Sequence, residues 1–127
     1  MIALGRRPLI GGGLALALLG GRARAMTKGT AMFGMIGKMK AQPGQRSTLI
    51  EILASSTTTM PGCLSYIVAE DADDPDGLWI TEIWDSKASH DASLQLPEVR
   101  EAIAKARPLI AGFETSVKTR PVAGVEM

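Results

Sequence analysis

The chain has 127 residues, 46% hydrophobic and 21% charged. That is the balance of one ordinary globular domain, and it excludes a disordered polar chain. The net charge of +1 is unevenly placed: of 14 basic residues, Arg6, Arg7, Arg22 and Arg24 stand in the first 25, leaving 10 against 13 acidic ones beyond them, so no basic stripe offers itself to nucleic acid.

Residues 1–25 read as an export signal. Arg6 and Arg7 give a charged start, Pro8 to Leu19 is a short apolar stretch, and Ala23-Arg24-Ala25 places small residues where a signal peptidase reads. The arginine pair resembles a twin-arginine signal, which would make the mature protein periplasmic. If translation instead starts at Met26 or Met32, the protein is cytoplasmic. The apolar run falls short of the roughly 20 residues of a spanning helix, so no stable membrane insertion is expected.

Met32 to Lys40 is short, apolar and bounded by turn residues, and it predicts a first strand. Pro43 is placed to open a helix from Gln45 to about Thr58, with Leu49, Ile50, Leu53 and Ala54 sharing a face. Met60-Pro61-Gly62 stops that helix, and Cys63 to Glu70 reads as a second strand. Cys63, the one cysteine, has no internal disulfide partner and reads as a small core residue.

The stretch Asp71 to Gly77, DADDPDG, predicts a turn in which Asp side chains bond nearby backbone, and a solvated hairpin tip. Its spacing lacks the glycine and distal glutamate of a calcium loop. Leu78 to Trp84 completes the hairpin as a third strand. Asp85 or Ser86 can cap a short helix from Lys87 to about Leu94. Pro97 opens another helix, disturbed at Pro108 and ended by Gly112, and Phe113 to Arg120 reads as a fourth strand.

The order β-α-β-β-α-α-β is the α+β, ferredoxin-like split βαβ arrangement. Helices on one side of such a sheet leave the other side bare, and a second copy of the chain is the simplest cover.

Strand alternation puts Ile80, Glu82 and Trp84 on one face, and Trp79, Thr81 and Ile83 on the other. Glu82 is a candidate base, and Trp84 and Tyr66 are candidate walls for an aromatic ligand. Plain core packing is the alternative for Tyr66 and Trp84, and a structural ion pair or backbone bond for Glu82. His90, the one histidine, could relay a proton from the short helix. An exposed helical histidine is its plain alternative.

Three stretches, AQPGQRSTLIEIL, PGCLSYIVAEDADDPDGLWITEIWDSKASHDASLQLPEV and FETSVKTRPV, resemble the antibiotic biosynthesis monooxygenase domain family, which includes quinol monooxygenases. The resemblance covers residues 32–122. It implies a dimeric α+β barrel with sheets back to back, and a pocket between each sheet and its own helices. The Glu82/Trp84 face would then look toward that pocket.

The resemblance also implies a small aromatic substrate, typically a quinol or related phenol, oxidised by O₂ with no flavin, haem or metal cofactor. Many relatives carry a histidine three residues beyond His90, where this chain has Ser93. Ser93 is therefore placed with Tyr66 and Trp84 in the substrate-binding set, beside Glu82 and His90 as the catalytic pair. The absence of an Asn in the first strand, together with Ser93, argues against haem degradation. A non-catalytic small-molecule-binding or stress-associated barrel and a cofactor-free isomerase are the rival readings.

Overall fold

The computed structural model describes residues 31–56 and 60–124. The proposed export signal lies outside the described residues. Among the described residues, four strands and three helices follow in the order β1 (Phe33–Ala41), α1 (Arg46–Ser55), β2 (Cys63–Glu70), β3 (Gly77–Trp84), α2 (Lys87–Ser93), α3 (Pro97–Ala106) and β4 (Ile110–Thr119). The sheet runs β2-β3-β1-β4, every neighbour antiparallel. This is the ferredoxin-like α+β order expected from the sequence.

The core lies between the sheet and helices α1 and α3. Met39 and Ala41 of β1 and Leu78 and Ile80 of β3 pack with Leu49 and Ala106. On α1 the inward stripe is Leu49, Ile52 and Leu53, flanked by Ile50, whereas Ala54 is exposed. The physical reason is spacing: positions i, i+3 and i+4 share a helical face, and i+5 turns off it.

Two boundaries differ from the sequence reading. Helix α1 begins at Arg46, because Pro43 and Gly44 form a tight turn, with Gly44 at φ +77°. Strand β4 begins at Ile110, so Gly112 lies within the strand, opposite Lys40. Pro108 cannot continue an α-helix. The chain tightens into a 3₁₀ turn at Arg107–Leu109 and enters the sheet at once. Register shifts at Lys38/Met39 and Lys40/Ala41 absorb the irregularity.

Gly62, of the Pro-Gly-Cys stretch, sits at φ +86°. A Cβ there would lie 2.5 Å from the Ser89 side chain and 2.8 Å from Asp85 Oδ1. The bare glycine lets its carbonyl accept the Asp85 N–H at 2.9 Å. This fixes the chain just before α2, where Ser86 caps by accepting the Ser89 N–H at 3.1 Å.

The acidic hairpin tip is wired rather than merely solvated. Asp71 Oδ1 accepts the N–H groups of Asp73 and Asp74, both at 2.9 Å, and Asp71 Oδ2 accepts the Trp79 indole N–H at 2.7 Å. Lys38 and Lys40 pair with Asp74 from the neighbouring strand. The Arg46 guanidinium donates to the Asp74 carbonyl at 2.8 Å and reaches the Glu70 carboxylate at 3.3 Å. The hydrogen-bonded Trp79, then the two backbone N–H groups, hold the Asp71 carboxyl well below the usual carboxylate range.

The sheet face away from the helices carries an apolar row. Ile67, Thr81, Ile36 and Val117 stand side by side across all four strands. Ile67 is 55% exposed and Val117 47%. Among the described residues no helix is long and apolar enough to cross a membrane.

Candidate functional site

Glu82 and Trp84 share the helix-side face of β3, as alternation requires. The Trp84 indole N–H donates to Glu82 Oε1 at 2.8 Å. Trp84 is fully buried, at 1% exposure, so this bond both satisfies the indole and orients the carboxylate. Tyr66 lies directly across from Glu82 on β2, and Met35 directly across on β1. Among the described residues the Tyr66 hydroxyl has no hydrogen-bond partner. Burial, reinforced by the Glu82 carboxylate, pushes its phenol well above the ordinary value, so it stays a neutral O–H group near pH 7.

His90 is not an exposed helical residue. Its side chain is 15% exposed. The ring meets Trp84 edge-on, centroids 5.5 Å apart, and tilts against Phe33 at 5.1 Å. Nδ1 lies 3.0 Å from Asp91 Oδ1. Ser93, 4% exposed, donates to the His90 carbonyl at 2.6 Å. A serine in that backward bond closes the last turn of α2 without reaching outward.

The five residues singled out in the sequence thus form one connected group, running Tyr66, Glu82, Trp84, His90, Ser93. They do not all line one cavity. A cavity of about 150 Å³ is lined wholly by residues of β1, β3 and β4, and of the five only Glu82 lies on its wall. The rest of the wall includes Met35, Met39, Ile80, Phe113 and Ser116. Sequence reasoning missed Met35 and Met39, although their parity on β1 places them on the Phe33 face. Phe113 and Ser116 were out of reach, because β4 starts three residues earlier than its pattern shows.

Cys63 is half-buried, with its thiol 3.6 Å from the Ser65 carbonyl. Burial pushes the thiol up, against the lowering effect of the Ser65 bond, so it is not an activated nucleophile. Among the described residues no three His, Cys, Asp or Glu side chains are placed to hold a metal ion.

The structure is thus an α+β domain with a ferredoxin-like sheet that bears a small, carboxylate-containing cavity. The comparisons with known proteins narrow that description. Residues 32–105 match the family model of the antibiotic biosynthesis monooxygenases. A provisionally named antibiotic biosynthesis monooxygenase from Chloroflexus aurantiacus J-10-fl is 58% identical, over 74% of this chain and 96% of that one, with a TM-score of 0.73. Another provisionally named one, from Caulobacter crescentus CB15, shares the fold at 18% identity, over 75% of this chain and 93% of that one, with a TM-score of 0.68. A Mycobacterium tuberculosis protein shares it at 22% identity, over 75% and 99% of the two chains, with a TM-score of 0.64. No curated protein matches the sequence. The chain belongs to the antibiotic biosynthesis monooxygenase family.

Proposed function

We propose that this protein is a homodimeric, cofactor-independent monooxygenase that oxidises a quinol or related phenol with O₂. The carrying observation is the Glu82 carboxylate. One oxygen is held by Trp84, and the group shares the cavity wall with the apolar Met35, Met39, Ile80 and Phe113 and the polar Lys38, Thr115 and Ser116. A base on the wall of a part-apolar cavity is what deprotonation of a bound phenol needs.

Glu82 takes the phenolic proton. The electron-rich phenolate then gives one electron to O₂, leaving a substrate radical and superoxide. Their combination forms the new C–O bond as a substrate peroxide. Loss of water, with protons returned through the carboxyl, leaves a carbonyl. The balance is phenol plus O₂ to quinone plus water, or hydroquinone plus O₂ to hydroxyquinone plus water. Tyr66 pairs with Glu82 across the strands but lies off the cavity wall, so its neutral hydroxyl sits behind the carboxylate and not against the substrate. His90 acts through Trp84, keeping the indole in place for its bond to Glu82.

The second copy would cover the apolar row Ile36, Ile67 and Val117 with the same row of its partner. A non-catalytic binding barrel is the second reading. It is favoured by Ser93, whose hydroxyl is spent on the His90 carbonyl where many relatives would have a histidine.

Oxygen uptake by the purified full chain with a panel of hydroquinones and naphthoquinols tests the proposal. The expected result is turnover above the autoxidation blank for at least one compound, with a product heavier by one oxygen than the corresponding quinone. Uptake equal to the blank across the panel would reject catalysis. A product of unchanged mass would favour the isomerase reading.

A further inference from the structure

Beside the Glu82 cavity lies a second and larger one, about 630 Å³, between α1, α3 and the start of β4. Its wall is apolar: Leu53 comes from α1, Ile103 from α3, and Ile110 from β4, with Arg107 the one charged residue. Met39 and Phe113 line both cavities. These two side chains therefore stand on the border between the two spaces. Met39 is unbranched and conformationally soft. Phe113 is 71% exposed, which for a phenylalanine leaves its ring little packed and free to move aside.

The sizes and chemistries of the two spaces differ in a matched way. The smaller, near 150 Å³, suits one benzene-sized ring, and it holds the carboxylate. The larger falls in the range of ordinary ligand pockets, and apart from Arg107 it offers a ligand nothing but apolar contact. A simple phenol would fill the first and leave the second unused.

We infer that the ligand is an amphiphile, a phenolic ring bearing an apolar chain, with the ring at Glu82 and the chain running past Met39 and Phe113 into the cavity walled by Leu53, Ile103 and Ile110. The identity of the ring rests on the phenol-oxidation reading. The chain site rests on the larger cavity alone.

The test is binding, measured anaerobically so that no oxidation is required. Titration calorimetry of the full chain with 4-alkylphenols from methyl to octyl reads affinity against chain length. Each methylene buried in the second cavity should tighten binding up to about fourfold, and octylphenol should bind at least a hundredfold tighter than methylphenol, one per chain. Two substitutions place the effect. Ile103→Glu sets a charge in the chain cavity, and Ala111→Trp, at an exposed lining position, obstructs it. Both should cut the octyl advantage at least tenfold and leave methylphenol within twofold of wild type.

Equal affinity along the series, or no binding at any length, overturns the inference. So does a chain-length gain that survives both substitutions. The outcome is separable from the catalytic proposal. Chain-length-dependent binding without oxygen uptake sinks the oxidation reading and leaves the chain site, whereas turnover of short quinols with a flat binding series does the reverse.

Discussion

Glu82→Gln isolates chemistry from architecture at this site. Glutamine keeps an acceptor oxygen where Trp84 donates at 2.8 Å and removes the base. A bond to a charged acceptor contributes about 1.5–3 kcal/mol and a neutral one about 0.5–1.5 kcal/mol, so the swap costs about 1 kcal/mol. In a domain of this size that lowers the melting temperature by about 4–8 °C. Turnover should fall far more, by about 100- to 10,000-fold, the contribution of a positioned general base.

Glu82→Leu is the structural counterpart. It leaves the Trp84 indole N–H, 1% exposed, without its partner, and costs about 1–3 kcal/mol for the buried donor. Melting is followed by circular dichroism and turnover by oxygen uptake. A Glu82→Gln protein that melts as expected and turns over within threefold of wild type would refute Glu82 as the base.

The remaining expectations concern the frame. Asp71 has a folded-state carboxyl value below its unfolded one, near 3.9, chiefly through the Trp79 indole bond. Its contribution is therefore complete above that value and is lost as pH falls below it. In urea midpoints measured from pH 3 to 7, Asp71→Asn should flatten the acid limb, and an unchanged limb would contradict the assignment. Leu49→Ala, at a fully buried position, should cost about 2–5 kcal/mol, and a melting shift under about 4 °C would show that the site collapses around the gap. If a second copy covers the exposed apolar row as proposed, the wild type sediments at twice the chain mass and Ile67→Glu halves it; a wild type at the mass of one chain, or a mass unaltered by the substitution, would refute that cover.

The order of elements and the two faces of β3 were legible in the residues alone. Period-2 alternation and the turn residues at Asp71–Gly77 are local signals, and the structure keeps Glu82 and Trp84 on the helix side as they imply. The aspartates' bonding to their own turn was legible for the same reason. The anchoring of that turn by Lys38, Lys40 and Arg46 was not, because those cations arrive from other elements of the chain.

The cavity itself was decided by tertiary structure. Its wall joins Met35 and Met39 of β1, Glu82 of β3 and Phe113 of β4, residues brought side by side only by the strand order and by the register shifts along β4. Nothing in the local pattern around Phe113 signals these shifts, because register is a property of the pairing of β1 with β4 and not of either strand alone. His90 shows the same limit. Its helical position is readable, but its burial against Phe33 and Trp84 depends on where α2 lands after the Gly62–Asp85 bond. Side-chain direction along one strand is set by covalent geometry, whereas the company a side chain keeps across strands and helices is set by packing.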